Sequence, residues 1–361
     1  MKDGLAPELE GDDPGDGRNV ATDRTVLEGE GAQQIVRAHG ANFPVPERGF
    51  PVEHAPSETF DREAPTYHGL PMLKDPVWVA SIAAYFYVGG VAGCSAALAA
   101  SVDLAGDAGL ERLGRRTRWI AAGGAILGTG LLIHDLGRPA RFLHMLRVFR
   151  PTSPMNLGAW LLAAFGGASA AGAVLGGRGA IGRSATLAAG VLGPPLATYT
   201  AALLANTAVP VWQQGRRTLP FLFGASSVAS TAALLQLLPL ARREERTVRA
   251  LGIAGKAAEL VAAEAVEREV GQVERAALPL RQGISGTFWK AAKLLNAASL
   301  ALDLLPTGEP WRRKAAGALG TAAALALRYS VFRQGKASTH DVRATTEVQR
   351  AGHGAAEVTA R

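Results

Sequence analysis

Residues 77–100 read VWVASIAAYFYVGGVAGCSAALAA, and this stretch contains no charged side chain. A helix needs about 20 mostly apolar residues to cross the roughly 30 Å hydrocarbon core of a bilayer. The stretch therefore predicts a transmembrane helix. Seven similar stretches follow it along the chain, so the predicted spans are residues 77–100, 118–136, 156–176, 185–208, 219–240, 248–267, 286–306 and 313–332.

Small residues are frequent inside these spans, as in AAGGA at 121–125 and GGASAAG at 166–172. Such residues let helix backbones approach closely where lipid provides no hydrophobic force for association. We therefore predict an all-α fold, a polytopic transmembrane helix bundle of about eight spans over residues 77–333. Pro194 and Pro195 predict a kink in the fourth span; two shorter helices joined by a turn are the alternative.

The composition divides the chain into an acidic tail and a basic, apolar remainder. Residues 1–74 contain 14 acidic and 7 basic side chains, whereas the whole chain has 31 acidic and 38 basic ones. The first part has no sustained apolar period and cannot offset its chain entropy by burial. We predict an extended acidic tail over residues 1–76 that lies on a partner, and a polar C-terminal tail over residues 334–361.

Charged residues make up 19% of the chain, against about 25% in an average soluble protein. This deficit argues against an ordinary soluble enzyme. A single Cys and seven His exclude a disulfide framework, a four-Cys zinc site and a cysteine-ligated iron–sulfur cluster within this chain. If the protein moves electrons, another subunit must bring them.

The segment after the second span reads HDLGRPARFLHMLRVFRPTSPMNLGAW over residues 134–160. It begins with an ionisable pair and continues as a short amphipathic piece, which we expect to lie in the membrane interface. Ser153 is a predicted N-cap, with Pro154 at the first position of the next helix. The piece carries four arginines that either anchor the loop at lipid headgroups or dock a partner: Arg138, Arg141, Arg147 and Arg150.

This segment resembles the NrfD/PsrC family, whose hallmark is DLGRPxRFxxML running into PTSPMxxGAW. YFYVGGVAG at 85–93 is similar to the family's Gly-rich first helix. YTAALLAN at 199–206, followed by PVW at 210–212, is similar to its Tyr-Thr-Gly-x-Leu-Leu helix. The resemblance extends from about residue 77 to residue 240. The family comprises the membrane subunits of polysulfide-reductase-like molybdoenzyme complexes.

The resemblance implies a multi-pass subunit of a prokaryotic cytoplasmic membrane that is not catalytic alone. Such a subunit exchanges electrons between a quinone, expected to be menaquinone, and a docked ferredoxin-like iron–sulfur subunit with four clusters. A molybdopterin-type catalytic subunit often completes the complex. We expect no haem or iron–sulfur cluster in this chain, and no nucleic-acid partner, because its basic residues lie in membrane loops.

The candidate quinone-binding residues are Tyr199, Asn206, Tyr85, His134 and Asp135. The family resemblance assigns Tyr199 as a donor to a quinone carbonyl; the alternative is a tyrosine that bonds to a helix carbonyl as packing. Asn206 is two helical turns further along the same face, as either a second polar contact or an interhelical bond. For Tyr85 the alternative is core or interface packing. His134 and Asp135 are candidates for proton transfer, or Asp135 simply pairs with an arginine of the loop.

Charged residues Lys256, Glu259 and Glu264 lie within the sixth span, and Asp303 follows in the seventh. Charges inside a membrane usually face a bundle interior or water, so these four residues are candidates for a proton path. The alternative is a tilted or interfacial span whose charges are solvated. We expect Arg328 to extend to the headgroups, and the six tryptophans near span ends to form interfacial belts.

Two function classes compete with a quinone-reactive subunit. One is a proton- or ion-conducting module that uses the four intramembrane charges without a quinone. The other is a passive anchor that only holds catalytic subunits at the membrane.

Overall fold

The computed structural model describes residues 73, 74, 76, 78, 81–176, 179–305 and 309–345. The predicted acidic tail lies almost entirely outside these residues, as does the C-terminal tail beyond residue 345. Both tails therefore stay predictions.

Each of the eight predicted spans corresponds to a long helix. The long helices are α1 (Ser81–Ala105), α2 (Glu111–Leu136), α4 (Pro154–Leu175), α5 (Ala180–Ala205), α7 (Leu219–Gln236), α8 (Arg242–Val270), α10 (Gly283–Leu304) and α11 (Pro310–Thr339). Three short helices lie in the connections: α3 (Pro139–Met145), α6 (Pro210–Gln214) and α9 (Glu274–Arg281). The described residues contain no strand, so the predicted all-α bundle is confirmed.

Six of the long helices are apolar enough to cross a membrane by length and composition, namely α1, α2 with its preceding turn, α4, α5, α7 and α11. Charged residues keep α8 and α10 outside this group, although both are long enough to span. α11 continues to Thr339, past residue 333, where we expected the bundle to end.

The long helices alternate in direction, which gives the bundle two ends. At the first end, Trp78 stacks on Trp212 with 5.8 Å between ring centroids, and Arg275 pairs with Asp341 at 3.7 Å. At the second end, Arg118 pairs with Asp103 at 2.7 Å. The arginine segment between α2 and α4 therefore lies at the first end, together with both limits of the described chain.

Glycines bring α1 and α5 into backbone contact. A methyl group at Gly93 would overlap the carbonyl oxygen of Gly193, and one at Gly193 would overlap the carbonyl oxygen of Gly93. Close approach of this kind is what the small residues of the spans predict.

α5 is one continuous helix through Pro194 and Pro195, so the alternative of two shorter helices is wrong. The hydroxyl of Thr198 donates to the carbonyl of Pro194 at 3.0 Å and to that of Pro195 at 3.2 Å. These contacts lie on the C-terminal side of the prolines and engage the carbonyls of the prolines themselves. The expected kink stays a prediction.

The tryptophans do not all form interfacial belts. Trp119 and Trp311 are exposed, as the prediction requires, but Trp212 and Trp289 are almost completely buried. The Trp212 indole donates to the Val331 carbonyl at 2.9 Å, and its ring lies against Gly335. It ties α6 to α11 and so is part of the core.

Candidate functional site

The segment between α2 and α4 is built by turn and cap residues. Gly137 ends α2 with a φ of 70°, a left-handed conformation that glycine adopts without strain. The short helix α3 follows. The Ser153 side chain then accepts a hydrogen bond from the Asn156 backbone N–H, and Pro154 occupies the first position of α4. The predicted N-cap is confirmed, and the predicted amphipathic piece contains the short helix α3; its place in the membrane interface stays a prediction.

Asn156 fastens this segment, a role that we did not predict from the sequence. Its Nδ2 donates to the carbonyls of Met145 at 2.6 Å and Val148 at 2.9 Å. Its Oδ1 accepts from the Arg150 backbone N–H at 2.7 Å. One side chain therefore ties three backbone groups of the loop to the start of α4. Its place two residues after the Ser-Pro cap is the signal that could have found it.

The four arginines of the segment are exposed at the first end. Arg141 donates to the Leu136 carbonyl at 3.2 Å, which holds α3 to the end of α2. Phe142 is buried, whereas Val148 and Phe149 are exposed. The segment thus presents basic and apolar side chains together on the outside of the bundle.

Tyr199 lies directly against the beginning of α4. Its hydroxyl donates to the Pro154 carbonyl at 2.6 Å, and its ring fills the space beside Gly158, where any Cβ would overlap it. The ring is half-buried. In this structure Tyr199 therefore makes the helix-carbonyl bond of the packing alternative, and Pro154 and Gly158 of α4 form the place where the phenol lies, its seat.

Tyr85 lies near Tyr199 in the bundle. It is almost completely buried on α1, packs beside Phe86, and contacts Gly128 of α2. The two phenols are close enough to interact electrostatically. The structure thus brings two of the predicted quinone residues together between α1, α2, α4 and α5.

His134 and Asp135 lie near the end of α2, at the same end of the bundle. The exposed His134 ring has its Nδ1 3.4 Å from the Ser81 hydroxyl, and Asp135 is half-buried. Asn206 is exposed and donates to the Ala202 carbonyl of its own helix at 2.8 Å. The Asn206 side chain therefore caps the end of α5 and is not brought to Tyr199.

A second group of predicted residues lies inside the C-terminal helices. Lys256 is fully buried, and its Nζ donates to Asp303 Oδ2 at 2.5 Å and to Gln236 Oε1 at 3.3 Å. Gln236 in turn donates to Asp303 Oδ1 at 2.7 Å. Asp303 thus joins Lys256, as the sequence suggested, and Gln236 completes a triad that the sequence did not reveal.

Glu259 and Arg328 form the neighbouring part of this group. Both are buried, and the charges that face Glu259 are those of Arg328 and Lys256. Arg328 donates to the Phe223 carbonyl at 3.0 Å and to the Ser227 hydroxyl at 3.2 Å, and its guanidinium carbon lies 3.8 Å from the centroid of the Phe223 ring. The expectation that Arg328 extends to the headgroups is therefore wrong: its position mid-way along α11 and its partners keep it inside.

Glu264 is separate from this buried group. It is half-exposed and accepts from Arg268 Nε at 3.1 Å, with Lys293 at 3.9 Å. Nearby, Glu267 Oε1 accepts from the Trp289 indole at 2.5 Å and from Lys293 at 2.7 Å. The eight-residue spacing from Lys256 places Glu264 about 12 Å further along the helix axis, towards the first end. Within the part of the chain that the structure describes, no group of three His, Cys, Asp or Glu is arranged to hold a metal ion.

The fold and these two groups define a class, a polytopic helical membrane protein with polar sites inside its bundle. Residues 70–174 match the family described as "Polysulphide reductase, NrfD". This match confirms the resemblance of the arginine segment and supports an NrfD/PsrC-like membrane subunit over that part of the chain. The match includes α1, α2 and α4 but ends before Tyr199. A comparison with curated proteins finds no significant match.

Proposed function

We propose that this protein is the quinone-reactive membrane subunit of a respiratory oxidoreductase complex. It exchanges electrons between a quinone, expected to be menaquinone, and an iron–sulfur subunit docked at the first end. The observation that carries the proposal is the seat of Tyr199 on Pro154 and Gly158. The NrfD match includes those two residues, so the family-specific part of the chain builds the place where the phenol lies.

By their chemistry, Tyr85 and Tyr199 fit one face and one carbonyl of a quinone headgroup. A quinone site needs an apolar slot and a hydrogen-bond partner for each carbonyl oxygen. Tyr85 would provide a wall of the slot, and the Tyr199 hydroxyl has one hydrogen to donate. That hydrogen is directed to the Pro154 carbonyl, so Tyr199 would exchange this acceptor for a quinone carbonyl.

The quinone would supply two-electron redox chemistry when bound, and the protein would supply protons and orientation. His134 and Asp135 lie at the same end of the bundle as the Tyr199 seat. Imidazole is the side chain best suited to carry protons near neutral pH, and the exposed His134 ring can exchange them with water. Tyr199 would orient the ring, and His134 with Asp135 would exchange protons between the site and the aqueous phase.

Tyr199→Phe, measured in the purified complex, tests the site. We expect about a tenfold loss of quinone affinity, the size of one hydrogen bond. Tyr329→Phe is the matched control. The Tyr329 ring lies between α10 and α11, where it packs on Phe288 with 4.8 Å between the ring centroids. Equal affinities in both variants would contradict the site. Absence of saturable quinone binding by the full chain in lipid discs would contradict the function and favour a passive anchor.

The arginine segment supports docking of the iron–sulfur subunit at the first end. Exposed charges of one sign steer and orient a partner of opposite sign. We expect the double variant Arg147→Gln with Arg150→Gln to weaken this docking and to reduce its dependence on salt. The measurement is co-purification of the ferredoxin-like subunit, and of the molybdopterin-type subunit that binds through it. Unchanged co-purification would contradict it.

A coupled proton path is the second part of the proposal. Asp303 and Lys256 form a buried ion pair, the buried Glu259 lies about one helical turn from Lys256, and Glu264 lies towards the first end. Buried ionisable residues in membrane helices commonly relay protons. The same group would serve the competing proton-conducting module, but that module would need no quinone.

Glu259→Gln in proteoliposomes containing the complex separates these cases. If the group couples proton movement to electron transfer, the variant keeps quinone affinity but loses proton uptake. Glu245→Gln, in the first turn of the same helix, is the control. Proton movement that persists in Glu259→Gln would contradict the path, whereas proton movement without any electron donor would favour the conducting module.

A further inference from the structure

A cavity of about 400 Å³ lies between α8, α9 and α10 at the first end of the bundle. It is separate from the Tyr199 seat and from the buried Lys256 group. Its apolar wall includes Ala277, Leu280 and Leu294, and its charged lining consists of Glu267, Arg281, Lys290 and Lys293. Arg281, Lys290 and Leu294 are exposed, so the cavity opens to the outside of the bundle.

The positive charges of this cavity exceed its negative charge. Glu267 is already engaged, because its Oε1 accepts from Lys293 at 2.7 Å and from the Trp289 indole at 2.5 Å. Among the residues that the structure describes, no carboxylate lies within ion-pair distance of Arg281 or Lys290. Two cations therefore remain at the mouth of an otherwise apolar cavity.

We propose that this cavity binds the headgroup of an anionic phospholipid, with Arg281 and Lys290 on the phosphodiester and an acyl chain along Leu280 and Leu294. Arginine and lysine pair with phosphate oxygens, arginine through two parallel N–H donors. Basic pockets between membrane helices bind anionic headgroups. The mainly apolar wall favours a lipid over free phosphate, because a phosphate ion alone would leave that wall exposed to water.

The position of the cavity agrees with this occupant. It lies where α8 ends and α10 begins, at the first end of the bundle. The six candidate spans also reach this end, which is therefore the depth of lipid headgroups around the bundle. Leu294 is 71% exposed one residue after Lys293, so an apolar surface continues from the cavity along α10. Trp289 lines the inner wall, and its indole donates to Glu267 Oε1, the same oxygen that accepts from Lys293.

The test is binding of defined lipids to the full chain in detergent, measured by native mass spectrometry. The probes are phosphatidylglycerol, phosphatidylcholine and inorganic phosphate. The test variant is Arg281→Gln with Lys290→Gln. Its matched control is Arg242→Gln with Arg246→Gln, which removes two exposed positive charges from the other end of α8.

We expect the wild-type chain to retain phosphatidylglycerol in preference to phosphatidylcholine, and inorganic phosphate not to displace it. The test variant should bind phosphatidylglycerol at least tenfold more weakly, with the control unchanged. Equal losses in both variants would overturn the site, because they would report only net charge. Equal retention of the two lipids would overturn the headgroup assignment, and displacement by inorganic phosphate would overturn the lipid as occupant.

Discussion

The two halves of the bundle hold their helices together by different means. In the N-terminal half (α1, α2, α4 and α5), backbones touch at glycines such as Gly93 and Gly193, and the ion pair of Asp103 with Arg118 lies at an end. The C-terminal half (α7, α8, α10 and α11) also has close glycine contacts, but it buries charged side chains in its interior.

The difference has a physical consequence. A glycine contact loses stability only when volume is added, because its energy is packing. A buried ion pair loses stability when either partner is removed, since the remaining charge stays unsolvated. The NrfD match covers most of the half that relies on glycine and motif residues, and it does not reach the half with buried charges.

The largest expected effect comes from breaking the Lys256–Asp303 pair. Lys256→Met would leave Asp303 with Gln236 as its remaining side-chain partner in a buried site. We expect the free energy of unfolding to fall by about 3–5 kcal/mol, the usual cost of an uncompensated buried charge. Thermal unfolding of the purified chain in detergent measures this loss.

The double variant Lys256→Met with Asp303→Leu is the control. Replacing both partners removes the unpaired charge, so most of the lost stability should return. If the double variant is as unstable as the single one, the pair does not hold α8 to α10 by charge, and the contrast between the halves fails.

The sequence predicted the spans better than the interior. All eight long helices follow from mostly apolar runs, and the Ser153 cap follows from a local motif. Each of these signals is contained in one short stretch of the chain. Arg328 was mispredicted because nothing within its helix reveals Phe223 and Ser227, which are about 100 residues away in the chain. The sequence did not reveal Gln236 for the same reason, because its hydrogen bonds to Asp303 and Lys256 form only where α7, α8 and α10 meet.

A second, smaller effect should follow from crowding the α1–α5 contact. Gly93→Ala places a methyl group against the Gly193 carbonyl, a backbone atom that cannot rotate away. We expect a loss of about 1–3 kcal/mol, the usual cost of overpacking. Gly89→Ala is the matched control on the same helix, because no atom lies within 4 Å of the added carbon. Equal stabilities of the two variants would mean that this contact does not hold the N-terminal half.

The smallest effect concerns a contact between the halves. Glu244 at the start of α8 accepts from Arg112 of α2 at 3.1 Å and 2.7 Å, and from its own Ala241 backbone N–H at 2.7 Å. Glu244→Gln would remove the charge but keep one acceptor oxygen. The Glu244 side chain is only 1% exposed, whereas that of Arg112 is 44% exposed and stays in contact with water.

We therefore expect a loss of thermal stability smaller than that in Lys256→Met. About 1 M salt should reduce this loss only in part, because salt screens the exposed Arg112 more than the buried Glu244. Glu245→Gln is the control, since it removes an acid from the same helical turn and so changes the interaction with the helix dipole equally. A loss in Glu244→Gln as large as that in Lys256→Met would mean that the contact between the halves depends on this partly exposed pair as strongly as the C-terminal half depends on its buried one.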